Sequence, residues 1–542
     1  MNAQSSPPSA SQSTLVDPPT LPAGDKLTIG VLLISAFVMI LNETIMNVAL
    51  QPLMVEFDVE ETTIQWLTTA FMLTLATIIP TTGYLMQRFS LRAVFTLALV
   101  LFCAGTAIAA GAFGFPMLLL GRIVQAAGTA IMLPLLMTTV LTLVPLQRRG
   151  VVMGNVAIVI SVAPATGPAL SGFILHVADW RFLFLLILPI ALLALVLGRP
   201  RLDRSAGVKG GGLSVPSLLL SVPGFAGVVY GISQIGGGHG GEGADVDQAS
   251  VGVDPVAIIV LIIGVLFLAA FTWLQIRLQR AGNPLLNLQP FRYTMFTRAL
   301  LMMLLMMIAL FGAIIMLPLF LQQVRGLDTL QTGLLMLPGG VLMALLAPFV
   351  GRLYDRVGPR PLVVPGASLL VIALFLMSLL GPDTSVGAVL GLHMGLSVGL
   401  ACLFTPAFTT AMNPLPKPLY SHGSAVLNTL QQLAAAIGTA LLVTVMGLGA
   451  AAASAGGLDA EAAAVEGFRA AFRTAAFMSL GTVLLAFTLR ATQAGEPEAG
   501  EPEAGAVEPA AGAPEVGGPE ALTRGRARAV PQRRQPRRAP PR

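Results

Sequence analysis

Gly83-Tyr84-Leu85-Met86-Gln87-Arg88-Phe89-Ser90-Leu91-Arg92 closes one apolar run of the sequence, and Gly351-Arg352-Leu353-Tyr354-Asp355-Arg356-Val357-Gly358-Pro359-Arg360 closes another far along the chain. Both copies fit Gly-x-Leu-x-x-Arg-x-x-x-Arg at a tight basic turn. If each copy joins the second and third helices of a six-helix half, the chain holds two such halves with two further helices inserted between them. Two similar six-helix halves are the architecture of a rocking transporter whose substrate site lies at their interface.

The bulk composition agrees. Of 542 residues 55% are hydrophobic and 11% charged, against about 25% charged in soluble domains, and the mean hydropathy is +0.82. Apolar runs of about 20 residues can each cross the hydrocarbon core as a helix, whereas a barrel would alternate in pieces of about 10. The expected fold class is an all-α polytopic membrane protein with about fourteen spans between 27 and 490. The implied organisation is a tail at 1–26, an N-terminal bundle at 27–198, an inserted pair with its loops at 199–281, a C-terminal bundle at 282–490 and a second tail at 491–542. Neither tail has a composition that can bury a core, and the first lacks the basic start of a signal peptide.

Charge sets the orientation. With the N-terminus inside, the inner loops collect residues such as Arg88, Arg92, Arg148, Arg149, Arg277, Arg280, Arg292 and Arg360, while outer loops receive only Arg181, Arg325, Arg469 and Arg473. Lys and Arg favour the cytoplasmic side, so both termini are expected there, in a cell (plasma or inner) membrane. The net charge of +5 reports this topology and eight arginines in the last nineteen residues, not a nucleic-acid partner. The basic end could touch anionic lipid or remain solvated. The Gly-rich 236–254 reads as an outer loop. Cys103 and Cys402 fall in apolar runs and show no metal-ligand spacing.

Chemistry concentrates in Leu41-Asn42-Glu43-Thr44-Ile45-Met46-Asn47-Val48-Ala49-Leu50-Gln51-Pro52. An intramembrane acid costs about 2.5–3.5 kcal/mol or more if charged, which makes Glu43 a functional candidate. Helical spacing puts Met39, Met46 and Asn47 on its face, a surface suited to varied apolar ligands because Met packs adaptably. Arg122 in Leu120-Gly121-Arg122-Ile123-Val124-Gln125 lies at a similar depth counted from the outer end of its run, so the two groups form a candidate proton-coupling pair. Either could instead serve only as a hydrogen-bonding anchor. In the fifth span Gly154, Ala163, Gly167, Pro168, Ser171 and Gly172 permit close approach and a kink. Weaker cavity candidates are Gln125, His393, Asn428 and Gln431, each with ordinary interhelical bonding as the alternative, and Met302, Met303, Met306 and Met307, which fit lipid-facing filler equally well.

These residues together resemble the major facilitator superfamily, specifically its fourteen-span drug:proton antiporters of the EmrB/QacA type. The loop at 351–360 is similar to the Gly-x-Leu-x-Asp-Arg-x-Gly-x-Arg signature, and 83–92 departs from it at Gln87 and Ser90. Arg122 and Gln125 are similar to a fourth-span Arg-x-x-Gln motif, and Gly154, Gly167, Pro168 and Gly172 to the fifth-span antiporter motif. Leu41–Leu50 resembles Leu-Asp-x-Thr-Ile-Val-Asn-Val-Ala-Leu, but Asn42 stands where that pattern has Asp and the acid is one place on, as in the lincomycin-resistance branch.

The resemblance implies proton-coupled efflux of apolar or cationic small molecules by alternating access, with Glu43 and Arg122 in proton coupling. Gly83, Arg88, Arg92, Gly154, Gly167, Pro168, Gly172, Gly351, Asp355 and Arg356 then serve conformational gating. It needs only the proton motive force, small-molecule substrate, protons and a bilayer, in a chain expected to act as a monomer and not as an enzyme. No metal or organic cofactor is expected, and no Gly-x-x-x-x-Gly-Lys-Ser/Thr phosphate loop occurs. The alternatives are an importer or exporter of one metabolite on the same fold, and a membrane sensor or channel.

Overall fold

The computed structural model of the protein describes residues 21–202, 214–235, 255–280 and 284–490. Residues 1–20 of the first tail, the whole of the second (491–542) and the Gly-rich 236–254 lie outside the described residues. The helices in chain order are α1 (Ala23–Phe57), α2 (Glu61–Ile64), α3 (Trp66–Arg88), α4 (Leu91–Ala110), α5 (Phe115–Leu143), α6 (Arg149–Val177), α7 (Arg181–Gly198) and α8 (Val215–Ile235). They continue with α9 (Pro255–Arg280), α10 (Thr294–Gln323), α11 (Thr329–Val357), α12 (Arg360–Met377), α13 (Val386–Met412), α14 (Tyr420–Ala455) and α15 (Ala460–Thr488). Fourteen of them are long and apolar enough to span a membrane, and no strand occurs among the described residues. The chain is an all-α polytopic membrane protein.

α1 is longer than its apolar run. Its 35 residues rise about 52 Å at 1.5 Å each, more than the ~30 Å of hydrocarbon, and it runs through Pro52 to a left-handed cap at Asp58, whose N–H donates to the carbonyls of Met54 and Val55. Glu43 is therefore further from the helix end than a count along the apolar run implies.

The helix contacts repeat. α1 packs on α5, α6 and α7; α5 also packs on α3 and α4, and α4 on α7. In the same order α10 packs on α13, α14 and α15; α13 packs on α11 and α12, and α12 on α15. Contacts between the two sets are reciprocal as well: α6 against α11 and α13, α14 against α3 and α5. One departure is that α14 packs closely along α15 while α6 barely meets α7.

The two loop motifs explain part of the repeat. The second arginine of each anchors the chain after the last helix of its own set: Arg92 donates to the carbonyls of Leu202 (2.7 Å) and Pro200 (2.9 Å), and Arg360 donates to that of Leu489 (2.7 Å). The copies differ where their residues require it. Gly358 has φ +77°, a region costly for any side chain, whereas Ser90 has φ −64° and caps α4 by accepting from the Ala93 N–H. A serine is thus suited to the first turn and a glycine to the second.

α8 and α9 pack on each other, and α8 also touches α3 and α14, with Trp66 and Tyr230 stacked at 5.9 Å. Gln275, fully buried in α9, donates to Ser217 Oγ at 2.8 Å and accepts from the Leu285 N–H at 2.9 Å and the Leu286 N–H at 3.2 Å. One amide thus fixes both the helix pair and the chain leading to α10.

Candidate functional site

The site begins with close helix packing. A β-carbon on Gly121 would lie 2.8 Å from the Ala109 nitrogen, and one on Gly105 would strike the Gln125 backbone, so two glycines bring α4 and α5 together backbone to backbone. At that approach Gln125 Nε2 donates to Thr106 Oγ1 at 2.8 Å, and Thr106 donates to the Phe102 carbonyl at 2.6 Å. The other end of the amide, Oε1, accepts from Arg122 Nη1 at 2.7 Å. The guanidinium also lies over the Phe71 ring of α3, 4.1 Å from its centre. Arg122 is 1% exposed, and its Nε–H has no partner. A buried cation is tolerable only when paired, so a partly satisfied one defines a place for a negative group.

Glu43 answers it from α1. The Glu43 residue is partly exposed, unlike the buried Arg122, and the two groups attract each other electrostatically. The four ion pairs within 4.0 Å among the described residues do not include them, so the attraction acts across a gap without a clamped contact. The two groups interact although Glu43 stands much further from the end of α1 than Arg122 does from the start of α5. Next to Glu43, Asn42 is 1% exposed with its Nδ2 unpartnered. The acid occupies the accessible position and the amide the buried one.

α6 holds α1 in this register. Thr44 Oγ1 donates to the carbonyl of Leu41 at 3.0 Å and lies 3.4 Å from that of Ala163, Ser171 Oγ donates to the Ile45 carbonyl at 2.9 Å, and a β-carbon on Gly167 would strike Thr44. The close-packing expectation does not hold at Gly172, which is exposed with open space where a β-carbon would be. Its neighbour Ser171 makes the contact. The side chains of Asn47 and Pro168 lie outside the described residues.

The remaining candidates divide. Met39 and Met46 are each 1% exposed and packed in the core rather than open to a wet face. Met302, Met303 and Met306 are fully buried and Met307 is 5% exposed, which excludes a lipid-facing role. His393 in α13 places Nε2 3.1 Å from the Met336 carbonyl of α11 while its Nδ1 has no partner. Asn428 donates back to the Ser424 carbonyl of its own helix at 2.9 Å, and Gln431 donates to Met303 Sδ at 3.8 Å. These hydrogen bonds of His393, Asn428 and Gln431 reach neither Glu43 nor Arg122.

A second cluster joins the two sets of helices at the end carrying the basic loops. Asp355 Oδ1 and Oδ2 accept from the backbone N–H groups of Gly150 (2.9 Å) and Val151 (3.1 Å), a carboxylate at the positive start of α6. The reciprocal place at α14 is served by Gln87, whose Nε2 donates to the Pro418 carbonyl at 3.0 Å. The leading glycines also match: a β-carbon on Gly351 would strike the Gly150 carbonyl, and one on Gly83 would lie 2.7 Å from His422 Nδ1. Gly154 touches the Ala347 backbone in the same way, while Arg356 and Arg88 are exposed.

Arg149 completes this cluster, although its sequence context suggests a loop cation. It is 4% exposed and donates to Asn413 Oδ1 (3.1 Å), the Leu141 carbonyl (2.7 Å) and Tyr420 Oη (2.9 Å). Asn413 donates in turn to Tyr354 Oη at 3.3 Å. No motif marks Asn413, Tyr420 or His422; the one available signal was their place in the loop and helix start equivalent to that of Arg149. Among the described residues, every hydrogen bond between the two sets lies at this end.

Comparisons with known proteins converge on one family. The pattern described as "Major Facilitator Superfamily" matches residues 32–439. The chain is 38% identical over 472 residues to "Uncharacterized MFS-type transporter YcnB" of Bacillus subtilis (strain 168), covering 87% of this chain and 96% of that one. It is 38% identical over 418 residues to "Lincomycin resistance protein LmrB" of the same organism, covering 77% of this chain and 85% of that one. The crystal structure of the human organic anion transporter MFSD10 (TETRAN) superposes with a TM-score of 0.60 at 15% identity, covering 86% of this chain and all of that one. A match over most of the chain, with the reciprocal helix packing described above, establishes that this chain belongs to the Major Facilitator Superfamily and is a multi-pass membrane transporter rather than an enzyme.

Proposed function

We propose that this transporter exports apolar or cationic small molecules in exchange for protons, as two six-helix halves rocking about a central site with the inserted pair α8–α9 carried alongside. The observation that carries this reading is Glu43: a partly exposed acidic residue of a membrane-length helix, without a clamped partner, facing a buried arginine held by Gln125 and Thr106. A group that must take up and release a proton cannot be locked in an ion pair, because each bond would have to break in every cycle. Arg122 supplies attraction for the empty carboxylate without tying it down.

The relatives named for lincomycin resistance support a drug as cargo. The hydrogen-bonded basic end supports an outward-facing state in which Glu43 is reached from the opposite side, by protons from outside when the basic loops are cytoplasmic. Opening of the basic end then releases the proton inward, and substrate favours the deprotonated state. One proton crossing about 100 mV and one pH unit supplies about 3.7 kcal/mol, enough for a several-hundred-fold gradient of a neutral compound. The proton motive force is then the sole energy source required of a monomeric carrier.

The test is a susceptibility panel, lincosamides included, in an efflux-deficient host expressing wild type, Glu43→Gln or Glu43→Asp at equal membrane levels. Resistance that disappears in Glu43→Gln and survives partly in Glu43→Asp supports the reading. Full resistance in Glu43→Gln removes the carboxyl from the mechanism.

A further inference from the structure

A cavity of about 680 Å³ lies away from Glu43, between the inserted pair and the second half. That size falls in the range of small-molecule sites, about 300–1,000 Å³. Its walls are Phe225 of α8, Phe271 of α9, Val426, Leu430 and Leu433 of α14, and Leu286 of the stretch leading to α10. Phe225 and Phe271 meet edge to face at 6.0 Å, which makes a firm apolar wall.

One feature distinguishes it from an ordinary groove that bilayer chains would fill. Arg280, the last residue of α9, and Arg292, just before α10, both line it and are both exposed, and among the described residues no acidic side chain lines it. Two cations at the end where α9 leaves and α10 enters the membrane, above an apolar chamber, match an anionic headgroup on acyl chains. A cationic amphiphile would be repelled by the same arginines.

We propose that this cavity is a binding site for one anionic phospholipid of the leaflet on the basic-loop side, with Arg280 and Arg292 on the headgroup phosphate and the acyl chains against Phe225, Phe271 and α14. The site is independent of the export reading, since it takes no part in the Glu43–Arg122 pair. Occupied, it wedges the inserted pair against α14, whose first turns carry Tyr420 and His422 of the cross-half cluster.

Native mass spectrometry of the purified full chain, incubated with phosphatidylglycerol or phosphatidylcholine of identical acyl chains, reads it directly. Each basic residue near a headgroup is worth about fivefold, so phosphatidylglycerol should be retained about thirtyfold better, at one molecule per chain. Arg280→Gln/Arg292→Gln should abolish that preference, and Arg280→Lys/Arg292→Lys should largely keep it. Arg277→Gln is the control, because Arg277 stacks over Trp273 and does not line the cavity. Equal retention of the two lipids by wild type, an equal loss in Arg277→Gln, or displacement of phosphatidylglycerol by tetraphenylphosphonium would each overturn the proposal.

Discussion

Gln125 holds Arg122 with a 2.7 Å hydrogen bond from Nη1 to Oε1 inside a contact made by glycines of α4 and α5. Removing the acceptor leaves a buried guanidinium short of a partner, at about 1.5–3 kcal/mol for a bond to a charged group. Gln125→Leu is therefore expected to lower transport by tenfold or more, and Thr106→Val by less, since it loosens the amide without removing it. Measured singly and together, the two losses should fall short of additivity because both act on one network.

Asp355 and Gln87 occupy reciprocal places with unequal bonds. Asp355→Asn leaves one neutral acceptor for the Gly150 and Val151 N–H groups and replaces the other oxygen by a donor, whereas Gln87→Ala removes one neutral bond to Pro418. Distances between spin labels at the exposed Phe89 and Val357, read by electron resonance, should show the basic end opening about tenfold more in Asp355→Asn. Gln87→Ala should change that population by a factor of a few.

The leading glycines should be similarly unequal. Gly351→Ala would push a methyl group into the Gly150 backbone, which cannot yield without separating α6 from α11, while Gly83→Ala meets only the His422 ring and backbone at 2.7–3.4 Å. Loss of transport in the first at normal membrane levels, with at least partial activity in the second, is the expected outcome of a transport assay.

Much of this was legible from periodicity and punctuation. Fourteen apolar runs became fourteen membrane-length helices, and two loop copies led to helix sets with matching contacts. Side-chain partners were harder, because they depend on which backbone carbonyl or ring a neighbouring helix presents. Arg149 looks like any loop arginine until Asn413 and Tyr420, far along the chain, are seen to receive it. Met39 and Met46 share a helical face with Glu43, yet helix packing buries both and leaves the acid accessible.

Gly358 and Ser90 give a stability test free of transport. Alanine at Gly358 must adopt φ +77°, at about 1–3 kcal/mol, and should lower the thermal unfolding midpoint by a measurable amount. Ser90→Gly keeps an acceptable backbone at φ −64° and costs only a few tenths of a kcal/mol, so its midpoint should be unchanged.

The central claim is that Glu43 couples cargo to protons, and proteoliposomes with an imposed inside-acid gradient test it most directly, using a compound to which wild type confers resistance. Wild type should accumulate the compound against its gradient and stop when the pH difference is collapsed, while Glu43→Gln should only equilibrate it. Gradient-driven accumulation by Glu43→Gln at the wild-type rate, or accumulation by wild type only with acid outside, would contradict it.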